Sequence, residues 1–176
     1  VRTRVGYAGG TTPHPTYHDL GDHTETVEID FDPRVLGYDD LLDVFWASHD
    51  PRRPSWSRQY RSAVFTRTPE EEGLALASKA RIESAVGAVS TAIEPLEAFH
   101  RAEDYHQKYR LRSRRGILRE FQAMYPDDRA LVDSTAAARV NGWLDGYGTA
   151  QDVAAELPLT GLSEGASDAV RDRAYR

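Results

Sequence analysis

Between Thr24 and Trp46 the hydrophobic pattern of this chain changes period, and the change narrows what the chain can build. From Thr24 to Phe31 the residues alternate, with Val27, Ile29 and Phe31 on one face and Thr26, Glu28 and Asp30 on the other. A two-residue repeat of this kind belongs to a strand with one buried face. Asp32-Pro33 ends it, because proline has no N–H to offer a ladder. Beyond that stop Tyr38, Leu41, Leu42, Phe45 and Trp46 recur at helical spacing, while Asp39, Asp40 and Asp43 occupy the opposite side. A half-buried strand followed at once by an amphipathic helix calls for helices laid on a sheet, each covering the other's apolar side.

The remaining segments extend that scheme. Val1 to Tyr7 is rich in β-formers and is closed by glycines at 6, 9 and 10, and Thr11 to Asp22, with Pro13, Pro15 and Gly21, reads as a loop. Ala63-Val64-Phe65 and Thr91 to Glu94 are expected to be short strands. Thr68-Pro69-Glu70-Glu71 opens a helix with a capping hydroxyl, a proline at the first helical position and acids in the first turn, and it should run to about Val86. Ala98 to about Tyr125 reads as mainly helical, Arg129 to Leu144 and Ala150 to Leu157 as further helices, with Ser163 capping a last one. The expected fold is α+β: a two-layer sandwich with a ferredoxin-like mixed sheet, helices, and a helical C-terminal extension. Residues 1–128 are expected to form the principal domain and 129–176 a helical extension packed on it.

Charge and composition exclude several classes of function. Against 28 acidic residues stand 22 basic ones, a formal charge of −6, which argues against a nucleic-acid partner. The basic run of Arg110, Arg112, Arg114 and Arg115 reads as a solvated helix face. No apolar run approaches the length of a membrane span, and the start lacks a signal-peptide pattern, so a cytoplasmic protein is expected. The chain contains no cysteine, so these 176 residues hold no disulfide, no thiolate metal site and no thiol nucleophile. It also starts at Val1, inside what reads as a strand and without a methionine, which is read as a truncated start.

Candidate functional residues gather on loops and strand ends. Tyr17 lies on the first loop, Glu25 at the start of a strand and Tyr60 just before another, places from which a rigid frame presents polar groups. A glutamate beside aromatic rings is a candidate general acid, because desolvation favours the protonated carboxyl group. Trp56 offers an apolar wall for a substrate, with packing beneath its loop as the alternative. His14, His18 and His23 prompt a metal reading, but they span an irregular loop without ligand spacing, and neither a metal nor a cofactor is expected. His100 and His106 read as surface or capping residues.

Several motifs in fixed order then become informative: GYAGG at 6–10, PTY at 15–17, HTE at 23–25, FDP at 31–33, a helix ending in HDP at 49–51, QYRSAVF at 59–65 and AEDYHQKY at 102–109. Together they resemble the A-type peptide-methionine (S)-S-oxide reductases, thiol-dependent oxidoreductases of protein repair under oxidative stress. In that family a strand leads into a Gly-Cys-Phe-Trp segment at a helix start, and its cysteine attacks the sulfur of a methionine S-sulfoxide. The resemblance implies that Glu25 is the acid that protonates the sulfoxide oxygen, and that Tyr17 and Tyr60 are the phenols that bind that oxygen. It implies an external thiol reductant such as thioredoxin, and a nucleophile segment preceding Val1.

The sequence departs from the family in three places. The nucleophile motif is absent. The loop before the Gln-Tyr-Arg-Ser stretch reads Ser55-Trp56-Ser57-Arg58 where many members carry an acid and a histidine. Leu20 stands where a cysteine is common, and the C-terminal recycling cysteines are missing too, so the pattern is that of a one-cysteine member. Without the first strand and helix of the family fold, strand edges and apolar surface should be exposed. The chain alone is expected to be inactive. A different class stays open beside it, a cysteine-free relative that binds methionine or methionine sulfoxide peptides without turning them over.

Overall fold

The structure is a computed structural model that describes residues 1–174. Two compact units divide the chain: residues 5–102, and residues 1–4 together with those from 103 onward. The strands belong to the first unit, apart from residues 2–4 of β1. β1 (Arg2–Ala8), β2 (Thr24–Asp30) and β5 (Phe99–Arg101) form one sheet in the order β2-β1-β5, and β3 (Ala63–Thr66) and β4 (Ala92–Pro95) form a second. β1 and β5 are antiparallel, with Gly6 opposite Arg101 and Ala8 opposite Phe99. Gly6 is required there, because a Cβ would collide with the His100 carbonyl and the Phe99 ring. β3 and β4 are parallel, Ala63 opposite Ala92 through Thr66 opposite Pro95, which demands a crossover, and α2 (Pro69–Val86) supplies it.

Local signals fix the helices of this unit. Thr68 caps α2 by accepting a hydrogen bond from the Glu71 N–H at 3.1 Å, Pro69 takes the first position and Glu70, Glu71 and Glu72 fill the first turn. Gly87 ends it at φ +87. α1 (Tyr38–Ala47) starts where the Asp40 carboxylate accepts from the Gly37 N–H at 2.8 Å. The two helices share a core of Leu42, Trp46 and Ala75, flanked by Phe45, Val64, Ile82 and Ile93. Inside it the Trp46 indole N–H donates to Ser78 Oγ at 3.0 Å, so the buried donor is satisfied.

Among the described residues, β2 has β1 as its only sheet neighbour and β3 has β4. Both strands line one open cavity of about 730 Å³, which touches every residue from 24 to 31 and from 61 to 65. Side chains of successive strand residues point to opposite faces, so a cavity that meets eight in a row runs along an edge. Leu41, Leu42, Val44 and Phe45 of α1 line it as well.

The second unit is helical: α3 (Tyr109–Arg112), α4 (Arg115–Met124), α5 (Asp128–Val132), α6 (Thr135–Trp143), α7 (Ala150–Glu156) and α8 (Glu164–Ala174). Leu111, Phe121, Leu131, Val140, Trp143, Val153, Leu157 and Val170 are among the residues of its core. Lys108 ties the chain start to it, its ammonium donating to the Thr3 carbonyl and hydroxyl, both at 2.6 Å. The basic run is largely engaged at its front: Arg110 pairs with Asp145 at 2.7 Å and Arg112 with Asp128 at 2.6 Å, while Arg114 and Arg115 are exposed.

The α+β class stands, and three local expectations change. The strands divide between two sheets where one mixed sheet was expected. The segment from Ala98 begins as strand β5, because pairing with β1 outweighs local helical preference, and Lys108, at φ +53, breaks the helix again before α3. The helix expected from Arg129 to Leu144 is two helices, since Ser134 turns the chain and caps α6 through Ala137 N–H at 3.2 Å.

The core of the first unit should respond to truncation according to burial. Leu42→Ala, at a residue 3% exposed, is expected to destabilise by about 2–5 kcal/mol. Val35→Ala, at 84% exposure, should stay within about 0.5 kcal/mol of wild type. Urea unfolding midpoints of the two variants check this, and equal midpoints would contradict the assigned core.

Candidate active site

The loop that precedes β2 is built around one carboxylate. Asp22 accepts from the backbone N–H groups of Thr11 at 2.8 Å and Thr12 at 3.0 Å, and from both threonine hydroxyls. The Thr12 and Thr11 amides, then the hydroxyls, hold its carboxyl group far below the usual carboxylate range. Arg58 closes the loop from outside, donating to the Asp22 carbonyl at 2.6 Å and the Gly9 carbonyl at 2.7 Å. His23 is buried with Nε2 2.8 Å from the Thr12 carbonyl, and its ring meets His100 edge-on at 5.1 Å. Burial first, then the neighbouring His23 and His14, lowers the His100 imidazole below its ordinary value. Thr16 and Asp19 exchange backbone hydrogen bonds of 3.0 and 3.2 Å, and Tyr17 projects from the turn between them.

Glu25 follows directly on this loop. Its N–H donates to the Gln59 carbonyl at 2.9 Å, and the neighbouring Thr24 hydroxyl donates to the Arg58 carbonyl at 3.1 Å. Arg61 fixes the other side of the Gln59-Tyr60 pair. Its Nε donates to Thr24 Oγ1 at 2.8 Å, its two terminal nitrogens reach the Glu94 carboxylate at 2.5 and 2.6 Å, and its plane lies 5.6 Å from the Phe65 ring. The guanidinium holds the Glu94 carboxyl group below its ordinary range.

These anchors bring the sequence candidates together. Gln59 Nε2 donates to Glu25 Oε1 at 2.7 Å and to the Tyr60 hydroxyl at 3.1 Å, and the Tyr60 hydroxyl is hydrogen-bonded to Tyr17. Partial burial, then the charge of Glu25, raises the Tyr60 phenol above its ordinary range. Trp56 lies beside Tyr60 with ring centroids 5.3 Å apart, and at 84% exposure it is displayed, not packed beneath its loop. Glu25 is also exposed, so the aromatic rings flank it without burying it.

Sequence reasoning passed over Gln59, Arg58, Arg61 and Asp22 as individual contributors. Gln59 and Arg61 flank Tyr60 inside one motif and Arg58 directly precedes it, and that proximity was the available signal. The loop histidines are spent differently: His23 turns inward to Thr12 and His100, and among the described residues no group of three His, Cys, Asp or Glu is arranged to hold a metal ion.

Known proteins resemble this chain in sequence and in fold. The family model described as peptide methionine sulfoxide reductase matches residues 1–135. Peptide methionine sulfoxide reductase A5 of Arabidopsis thaliana is 43% identical over 150 residues, covering 81% of this chain and 58% of that protein. Peptide methionine sulfoxide reductase of Drosophila melanogaster is 38% identical over 166 residues, covering 93% of this chain and 66% of that protein. Among solved structures, methionine sulfoxide reductase A of Corynebacterium diphtheriae superimposes with a TM-score of 0.55 at 32% identity, covering 64% of this chain and 63% of that one. Mxr1 of Saccharomyces cerevisiae in reduced form gives 0.59 at 27%, covering 63% and 70%. The chain thus spans under two thirds of the length of the Arabidopsis and Drosophila proteins.

The Asp22 hub makes the loop acid-sensitive. A carboxyl group lowered in the folded state contributes stability that is complete above its unfolded value, about 4, and is lost as pH falls through the folded value. Asp22→Asn should therefore lower the melting temperature at pH 7, and the gap from wild type should shrink as the pH drops below about 4. A gap that stays constant down to pH 2 would rule out this role.

Proposed function

The chain belongs to the peptide methionine sulfoxide reductase family, and from that premise we propose that Glu25, Tyr17 and Tyr60 form the acid side of methionine S-sulfoxide reduction. The observation that carries the reading is the hydrogen-bonded line from Glu25 through Gln59 to Tyr60 and Tyr17, with Trp56 alongside. The two phenols donate hydrogen bonds to the sulfoxide oxygen, and Glu25 gives it a proton as a thiolate attacks the sulfur. The sulfur–oxygen bond breaks and the oxygen passes to the attacking sulfur as a sulfenic acid. Methionine leaves reduced by two electrons, and the cysteine is oxidised by two. Trp56 forms an apolar wall for the substrate methyl group.

The thiolate has to come from polypeptide outside these 176 residues, since they contain no cysteine. The cavity along β2 and β3 passes Glu25 and exposes two strand edges, which suits it as the seat of an added strand that brings a thiol beside the acid. Two thiols of an external reductant such as thioredoxin would then reduce the sulfenic acid, releasing water and leaving a disulfide on the reductant. A cytoplasmic setting, where such thiols are kept reduced, fits that requirement, and no helix among the described residues is long and apolar enough to cross a membrane. Taken by itself the chain binds sulfoxides without turning them over.

Thiol-dependent reduction of methionine S-sulfoxide is expected to be absent with this chain and present in a version that includes a cysteine-bearing segment. In that version Glu25→Gln should lower the rate by about 10²-fold or more. An inert cysteine-bearing version, or one indifferent to Glu25→Gln, removes the proposal.

A further inference from the structure

Glu25 presents a mechanical problem. An exposed glutamate turns about three side-chain bonds, and burial does not hold them here. Among the described residues a single side chain donates a hydrogen bond to its carboxyl group, that of Gln59.

Resting on the reductase reading above, we propose that Gln59 is a positioning residue that holds the Glu25 carboxyl group beside Tyr60 both before and after proton transfer. Gln59 grips Glu25 twice. Its carbonyl accepts the Glu25 N–H at 2.9 Å, which fixes the backbone, and its Nε2 donates to Oε1 at 2.7 Å, which fixes the head group. The same nitrogen reaches the Tyr60 hydroxyl at 3.1 Å, so one amide sets the spacing of acid and phenol. Gln59 is half-buried, and the residues around it are clamped: Arg58 to the Asp22 and Gly9 carbonyls, Arg61 to Thr24 and Glu94.

The amide is suited to both protonation states because it carries a donor and an acceptor on one planar group. Its NH₂ faces a carboxyl oxygen of Glu25 in this structure, the arrangement that suits an ionised carboxylate. Half a turn about the last side-chain bond presents its oxygen, which accepts the O–H of the neutral acid. When Glu25 passes its proton to the sulfoxide oxygen, the amide turns back and its NH₂ meets the new carboxylate. Leucine can do neither, and glutamate cannot donate from an ionised head.

The test uses the 176-residue chain. Titrating pH while following the Gln59 side-chain amide protons by NMR should show them tracking Glu25 ionisation in wild type, with no such response in Glu25→Gln. Gln59→Leu and Gln59→Glu should each weaken binding of an N-acetyl methionine S-sulfoxide amide by about three- to tenfold, with the matching methionine amide unaffected. If one variant fails to fold, the other carries the measurement. Amide protons that ignore Glu25, or variants that bind the sulfoxide as wild type does, overturn the role of Gln59 while leaving the function standing. A wild-type chain that does not distinguish sulfoxide from methionine overturns the function and this role with it.

Discussion

The Arg61 guanidinium is the contact on which the site depends. From the run leading into β3 it reaches Thr24 at the head of β2 and makes a two-point bond to Glu94 on β4, while its face lies near Phe65. A planar fork matched to a carboxylate fixes orientation as well as distance, which a lysine at this position would not do. Because Tyr60 precedes Arg61 and Glu25 follows Thr24, locking the two anchors sets the phenol and the acid against each other. The two sheets of this unit share no strand, so side chains such as Arg61 take over part of the work that a continuous ladder would perform.

The loop on the other side is held by the opposite charge. Asp22 gathers backbone and hydroxyl donors of Thr11 and Thr12 much as a capping residue gathers the free amides of a helix start. Arg58 binds the Asp22 carbonyl, not its carboxylate, so the loop is closed by two separate devices. Tyr17 can therefore sit on a turn, with its ring exposed, and still meet Tyr60. A functional side chain on a loop is as well placed as the bonds that close the loop.

The helices and strands whose signals were local could be read from the sequence. The strand β2, the apolar stripe of α1 and the Thr68-Pro69 start of α2 are dictated within a few residues, and the structure has each of them. The face expected to be buried on β2 is not, since Val27 is 55% exposed along the open edge. What failed depended on a distant partner in one place and on competing local signals in another. Nothing in Phe99-His100-Arg101 announces a strand until β1 lies beside it, ninety-odd positions earlier in the chain. The break at Ser134 was visible as a capping residue but was outweighed by the helical character around it. The site divided in the same way. Tyr17, Glu25, Trp56 and Tyr60 were found as chemically able residues, whereas Gln59, Arg61 and Asp22 act through hydrogen bonds that only the folded chain creates.

One expectation about the acid changed in a way that bears on mechanism. A glutamate beside aromatic rings was expected to be desolvated by them, since removing water from a carboxyl group favours its neutral, proton-donating form. Glu25 is exposed, and so are Tyr17, Trp56 and Tyr60 around it. Under the proposed reading the fold supplies direction and the substrate would supply the dryness. A methyl sulfoxide laid against Trp56 and Tyr60 would displace water from the acid at the same moment that it offers the oxygen to be protonated. Proton donation would then be coupled to occupancy. Such a coupling would ask more of the groups that aim the carboxyl group than of those that bury it, the task proposed for the amide of Gln59.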